Sequence, residues 1–129
     1  MIRKIAVFSD VHGNLSALKA VLQDASENGV TDYWFLGDLF LPGPGADDLY
    51  ETMLKVHPSI WLQGNWEQSI NETVDRKGIF DDASDVYFSR LTEYLMTNLK
   101  TEYYNELIQR PISTSITING LNFGLSHNQ

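Results

Sequence analysis

The stretch FSDVHGNLSALKAVL, residues 8–22, joins the end of an apolar run to a segment with helical periodicity. The apolar run Ile5–Phe8 predicts a first β-strand. Asn14 is a predicted N-cap, and apolar positions that recur every three or four residues predict a helix that ends near Gly29. A strand that leads directly into an amphipathic helix is typical of the start of an α/β fold.

The same arrangement recurs along the next forty residues. Residues 33–36 and 60–62 are continuously apolar, which is typical of strands buried on both faces of a parallel sheet. Between them, Asp47 and Asp48 favour a helix N-terminus, and Pro58 ends that helix. Two strand–helix–strand crossovers in succession predict parallel strands with helices packed on them.

The C-terminal half of the sequence has a different pattern. Helical spacing recurs from residue 69 to about residue 110, and we interpret its aromatic stripe, Tyr87 to Tyr104, as packing rather than as a ligand site. The segment STSITINGLNFGLS, residues 113–126, predicts two strands joined by a type I′ turn at Asn119-Gly120.

Composition narrows the classes of function. A chain of 129 residues that is 43% hydrophobic predicts one domain over residues 1–129. The absence of cysteine excludes disulfides, thiolate metal sites and cysteine nucleophiles. A net charge of −8 without a basic cluster argues against a nucleic-acid polymer as partner. The apolar runs are too short for a signal peptide or a membrane span, and we expect a cytoplasmic protein with no membrane partner.

Polar residues with metal-ligand chemistry follow the predicted strands. These residues are Asp10 and His12 after the first strand, Asp38 after the second, Asn65 after the third and His127 after the hairpin. Each motif alone is weak, because a single Asp-x-His is usually a turn and a single histidine is usually a surface residue. The carboxyl ends of parallel strands meet at one edge of a sheet, where α/β proteins bind ligands. The ordered set therefore predicts one site at that edge.

The donor types indicate divalent cations. A carboxylate and an imidazole two residues apart on an extended segment point to the same side and can reach one ion, and a second carboxylate can bridge two ions. Oxygen and nitrogen donors without sulfur suit Mn²⁺, Fe or Zn²⁺. Two such ions can hold a phosphoryl group and lower the pKa of a shared water to near neutral.

The motif set resembles the calcineurin-like metallophosphoesterases, and in particular their small bacterial phosphodiesterase branch. The resemblance spans residues 5–127 and rests on four motifs together with the stretches at residues 8–22 and 35–45: Asp10-Val11-His12, Gly37-Asp38, Gly64-Asn65-x-Glu67 and His127. It implies a four-layer αββα sandwich and hydrolysis of a small phosphodiester or phosphomonoester by a hydroxide that two metal ions activate.

The resemblance also implies a role for each candidate residue. Asp10 and His12 would hold the first ion, Asp38 would bridge, and Asn65 and His127 would hold the second. Asp38 and Asn65 are the expected catalytic residues. Mn²⁺ is the expected ion, with Fe, Zn²⁺ and Ni²⁺ as alternatives.

The sequence departs from the family pattern at Trp66, where the family commonly has a histidine near the leaving group. An indole cannot act as a general acid at neutral pH, so we expect poor leaving groups to be disfavoured. Glu67 then has no histidine to orient, and we expect it to bind local backbone groups instead. We interpret the stretch GNWEQ, residues 64–68, as a metal-binding turn in which residue 66 is altered.

A second departure lies at the C-terminus. The family's Gly-His-x-His motif and the C-terminal strands of the second sheet would lie beyond residue 129. A fragment, a partner chain that supplies the rest, and a naturally shortened gene each fit this pattern. The alternative to an enzyme is an inactive remnant or binding module that keeps the fold and at most one metal. We also expect a homo-oligomer formed through the exposed sheet edge.

Overall fold

The computed structural model of the chain describes residues 2–76 and 82–128, which form five strands and five helices. In chain order these are β1 (Ile5–Phe8), α1 (Leu15–Glu27), β2 (Asp32–Phe35), α2 (Asp47–Val56), β3 (Ile60–Trp61), α3 (Asn65–Asp75), α4 (Ala83–Asn98), α5 (Thr101–Leu107), β4 (Ser113–Ile118) and β5 (Leu121–Ser126).

The first three strands form a parallel sheet in the order β1-β2-β3. Helix α1 begins after Asn14, whose side chain accepts a hydrogen bond from the Ala17 N–H, and Gly29 follows it at a φ of 73°. The predicted crossovers, the N-cap and the glycine stop are therefore confirmed. The carboxyl ends of all three strands lie at the same edge of the sheet.

Alternate residues of β2 and β3 face two different apolar layers. Phe35 and Trp61 face a core that all five helices share, whereas Trp34 and Ile60 belong to a second cluster. That second cluster includes Ile116 and other residues of the β4–β5 hairpin. The helices thus cover one face of the parallel sheet and the hairpin packs on the other, and the predicted α/β class with two sheets is confirmed.

The hairpin matches its sequence signature. Strands β4 and β5 pair antiparallel from Ser113 with Ser126 to Ile118 with Leu121, and the turn residues Asn119 and Gly120 have φ of 51° and 79°. These angles are the ones that a type I′ turn requires.

Two predictions need correction. The Gly64-Asn65 pair is not an isolated turn, because Asn65 is the first residue of helix α3. The aromatic stripe is only partly packing, since Tyr104 is buried but Tyr87 is 61% exposed.

Residues 77–81 of the helical segment lie outside the described residues. Within the described part of the chain, no helix combines the length and apolarity needed to cross a membrane.

Candidate metal centre

The loop after β1 continues the parallel pairing beyond the strand itself. The backbone N–H of Asp10 donates to Gly37 O at 2.9 Å, and the N–H of His12 donates to Asp38 O at 3.0 Å. Asp10, His12 and Asp38 have φ of 62°, 51° and 66°, so all three lie in the left-handed region. The expected extended exit is therefore wrong for Asp10 and His12. Such backbone conformations in non-glycine residues cluster at functional sites.

Asp38 is the buried centre of the arrangement. Its side chain is 2% exposed, and its Oδ1 accepts the backbone N–H of Trp66 at 2.9 Å. Gly64 makes this approach sterically feasible, because a Cβ there would lie 2.1 Å from Asp38 Oδ1. The glycine is needed for space and not for its torsion, since its φ is −93°.

Glu67 joins the loops that follow β2 and β3. Its Oε1 accepts the backbone N–H groups of Asp38 at 2.7 Å and Gly64 at 3.0 Å, as expected from the sequence. Oε2 is buried without a hydrogen-bond partner. Burial, together with the nearby Asp38 carboxylate, raises the pKa of Glu67 to about 7, although backbone N–H donors favour the ionised form.

Both histidines have one nitrogen fixed by a backbone carbonyl. His12 Nδ1 lies 2.8 Å from Leu41 O, and His127 Nδ1 lies 2.8 Å from Leu36 O. A carbonyl oxygen only accepts, so each Nδ1 carries the proton and donates. In the neutral imidazoles, Nε2 therefore presents a lone pair.

These lone pairs face carboxylate oxygens. His12 Nε2 lies 3.2 Å from Asp10 Oδ1 and 3.5 Å from Asp38 Oδ2, and His127 Nε2 lies 3.0 Å from Asp38 Oδ2. Two acceptors at these distances repel each other unless a proton or a cation lies between them. The donor set thus fits a divalent cation, and the backbone-fixed Nδ1 groups are the outer contacts that orient metal-ligating histidines.

The two carboxyl groups differ in electrostatics. Burial raises the pKa of Asp38, and the Trp66 N–H and the nearby histidines offset only part of this effect. For Asp10, burial also acts to raise the pKa, but the hydrogen bond from the Ser9 hydroxyl, together with His12 and His127 whenever these imidazoles are protonated, outweighs it and lowers the pKa. Asp10 is consequently ionised at neutral pH, ready to bind a cation.

The structure brings together most of the candidate residues. Ligand atoms of Asp10, His12 and Asp38 all lie within 4.8 Å of one another, and His127 contacts Asp38. Asn65 is exposed at the start of α3, and the adjacent Trp66, not Asn65, provides the observed contact with Asp38.

Sequence reasoning missed the start of α3 and the two carbonyls that orient the histidines. The Gly-x-x-Glu spacing from Gly64 to Glu67 resembles a capping box and could have revealed the helix. Nothing in the sequence marks Leu36 or Leu41, because a backbone carbonyl has no residue-type signal.

A cavity of about 590 Å³ opens beside His12. It is lined by backbone and side chains from the start of α1 and by the loop at Gly43, Pro44 and Gly45. Cavities of this size hold small ligands.

Comparison with known proteins identifies relatives of the chain. The model of the family described as "Calcineurin-like phosphoesterase" matches residues 3–129. A metallophosphoesterase from Sphaerobacter thermophilus is 29% identical with a TM-score of 0.67, over 88% of this chain and 44% of that one. A hypothetical protein from Pyrococcus horikoshii OT3 shares the fold at 19% identity and a TM-score of 0.68, over 95% of this chain and 54% of that one.

A further similarity is local. An uncharacterized protein of Methanocaldococcus jannaschii is 41% identical over 49 residues, which are 38% of this chain and 20% of that protein. The chain thus spans a fifth of this relative and about half of the two solved structures. With the family match over nearly the whole sequence, the fold and the Asp-His-Asp cluster together show that the chain belongs to the calcineurin-like phosphoesterase family.

Proposed function

We propose that the chain carries the metal centre of a phosphoesterase that hydrolyses small phosphodiesters, with phosphomonoesters as the alternative substrates. The observation that carries this proposal is the set of Nε2 lone pairs directed at carboxylate oxygens, which favours bound cations. The small bacterial phosphodiesterase branch is the part of the family that we propose for it. The cysteine-free composition fits a reducing, cytoplasmic location.

The residues divide between two divalent ions in this proposal. Asp10 and His12 would hold the first, Asn65 and His127 would hold the second, and Asp38 would serve both. Mn²⁺ is the ion we propose, with Fe, Zn²⁺ or Ni²⁺ as alternatives of similar ligand preference. When bound, two such ions neutralise a phosphoryl group and lower the pKa of a water.

The chain's own residues orient these ligands. The carbonyls of Leu41 and Leu36 fix the tautomer of each histidine, so that Nε2 faces the carboxylates that would share the ions with it. The Trp66 N–H and Gly64 fix the Asp38 carboxylate from the other side. Pre-oriented ligands lose little conformational freedom on binding, which favours both affinity and a defined substrate position.

Metal content tests the proposal directly. Protein reconstituted with Mn²⁺ and freed of excess is expected to hold two ions per chain and to hydrolyse bis-p-nitrophenyl phosphate. Asp38→Asn is expected to lose ions and activity together, because one carboxylate serves both ions. Glu93→Gln removes an exposed carboxylate on α4 and is the matched control. Two bound ions without hydrolysis of any phosphoester would contradict the proposed activity.

A binding module with a single ion is the second candidate. It is favoured by the observation that Asp10, His12 and Asp38 alone form a compact group. One ion per chain, unchanged by His127→Ala and accompanied by no hydrolysis, would support this candidate over the enzyme.

Trp66 predicts a limited range of leaving groups. No imidazole stands at this position to protonate an alkoxide, so aryl phosphodiesters should react much faster than alkyl phosphodiesters. Methyl p-nitrophenyl phosphate can lose either p-nitrophenolate or methoxide. Equal rate constants for these two cleavages, or for matched dialkyl and diaryl esters, would contradict the preference for aryl leaving groups.

A further inference from the structure

A second cavity, of about 380 Å³, lies between α3 and α4. Its floor contains Trp66 and Phe88, and Tyr87 stands at its rim. Polar residues of both helices complete the lining: Ser69, Glu72, Thr73, Arg76, Ser84 and Asp85. We call this cavity the aromatic groove. Its volume lies within the range of small-molecule sites.

Trp66 lies between the aromatic groove and the metal centre and contacts residues of both. The Trp66 and His12 rings meet edge to face, with centroids 5.4 Å apart. On the other side of Trp66, the ring of Phe88 lies at 5.2 Å. Since the backbone N–H of Trp66 also donates to Asp38, the indole is anchored at the centre and extends away from it.

The aromatic side chains of the groove are not all required by the core. Tyr87 is 61% exposed, next to the half-buried Phe88 and Trp66. A single exposed aromatic residue is common, but here Tyr87 and two half-buried aromatic residues line one cavity, and one of them, Trp66, also contacts the His12 ring. An aromatic floor with polar groups at its rim is the usual composition of a site for a planar ring.

Charge restricts the kind of ring. Glu72 and Asp85 both line the aromatic groove, and Arg76 Nη2 lies 3.3 Å from Asp85 Oδ2. Carboxylates repel a second phosphate but accept hydrogen bonds from ring amino groups. A neutral nitrogen heterocycle suits this lining better than a sugar phosphate or an inorganic anion.

We propose that the aromatic groove is a subsite for the base of a nucleotide whose phosphate lies at the metal centre. This proposal rests on the proposed function and adds the substrate class: phosphoesters of nucleosides. Trp66, Phe88 and Tyr87 would stack on the base, and Glu72 or Asp85 would accept its N–H groups. Stacking on aromatic residues tolerates every base, so the preference would be for nucleotides in general.

Binding of adenosine 5′-monophosphate and of ribose 5-phosphate tests the subsite. The two probes carry the same phosphate and differ by the base, and calorimetry on the Mn²⁺-loaded protein needs no turnover. The wild-type protein is expected to bind the nucleotide about tenfold more tightly, an effect within the range of base–aromatic stacking. Tyr87→Ser and Phe88→Leu should reduce this preference severalfold and leave ribose 5-phosphate binding unchanged.

Val86→Ser is the control, since Val86 is exposed on α4 but does not line the groove. Equal affinity for the two probes, no binding of either, or a preference that survives both variants would overturn the subsite. If the nucleotide preference is present but no phosphoester is hydrolysed, the proposed function fails and the subsite stands. If hydrolysis occurs with equal binding of both probes, only the subsite fails.

Discussion

The exit loops of the parallel sheet and the β4–β5 hairpin contribute to the same site by different means. In the exit loops, backbone bonds continue past the strands and fix Asp10, His12 and Asp38, and a Cβ at Gly64 would clash. The hairpin is looser: Leu121, next to the turn, is 64% exposed although it shares the sheet-facing side with Ile118, and an added Cβ at Gly124 would meet nothing within 4 Å.

The difference shows that one part of the site is built into the sheet and another part is docked onto it. His127 reaches the centre from the end of β5 through two contacts, Nδ1 with Leu36 O and Nε2 with Asp38 Oδ2. The first ion should therefore depend on the parallel sheet, and the second on how the hairpin is held.

The largest expected difference in stability and metal binding is between alanine substitutions at Gly64, in the exit loops, and at Gly124, in the hairpin. Gly64→Ala forces a Cβ to 2.1 Å from Asp38 Oδ1 and 2.6 Å from Asp38 N, so one loop must move. We expect a loss of about 3 kcal/mol of unfolding free energy, at the upper end for overpacking, together with loss of metal binding. Gly124→Ala is the matched control and should be neutral or slightly stabilising, because alanine suits a strand better than glycine does.

Urea unfolding and metal content measure this contrast. Retention of two ions by Gly64→Ala, or similar stability losses in the two variants, would mean that the exit loops are no more tightly packed than the hairpin.

A pH dependence should also be specific to the exit loops. The pKa of Glu67 is raised to about 7 from an ordinary 4.5, so folding favours the protonated acid. Its contribution is complete below about pH 4.5 and is lost as the pH rises through 7, a change on the order of 3 kcal/mol. Glu67→Gln cannot titrate, and its amide oxygen can still accept both backbone N–H groups.

We therefore expect the unfolding free energy of metal-free wild type, relative to Glu67→Gln, to fall between pH 5 and pH 8. Urea titrations in the presence of a chelator measure the difference. Parallel pH profiles for the two proteins would show that Glu67 does not titrate in this range, and a control at Glu93→Gln should show no change in slope.

Separate removal of each histidine distinguishes the ligand on the exit loop, His12, from the ligand on the hairpin, His127. His12→Ala should abolish binding of the first ion, because His12 belongs to the rigid Asp-His-Asp group. His127→Ala should leave that ion in place and weaken only the second. Each variant should lose roughly 1 kcal/mol of stability, the net value of a typical hydrogen bond.

Titration with Mn²⁺, with binding detected by calorimetry or by electron paramagnetic resonance, distinguishes these outcomes. Loss of both ions in His127→Ala would mean that the hairpin, and not only the sheet, is required for the first ion.

The turn end of the hairpin should give the smallest effect. Leu121→Ser removes an exposed apolar side chain and is expected to change stability by less than about 0.5 kcal/mol. If the chain associates through this edge, the variant should shift light scattering toward the monomer. Val21→Ser, on the exposed side of α1, is the control and should not change the association state. A wild-type monomer at high concentration would contradict the predicted oligomer.

The sequence was informative wherever one residue type has one structural meaning. Asn14 and Gly29 marked the limits of α1, and Asn119-Gly120 marked the hairpin turn, because capping and left-handed torsions depend on local chemistry. It was misleading at Gly64-Asn65, where the same residues suit a turn or a helix start. The helix start is favoured by hydrogen bonds of Trp66 and Glu67 with Asp38, which is distant in sequence.

The sequence by itself determined the parallel sheet, the order of the strand exits and the candidate ligands Asp10, His12 and Asp38. Hydrophobic periodicity and parallel topology are enough to place those residues at one edge. Only the tertiary structure decided how the histidines are oriented, why Gly64 must lack a side chain, and that Trp66 lies between the metal centre and the aromatic groove. These features depend on contacts between backbone groups and rings that are far apart in the chain, and no local pattern encodes such contacts.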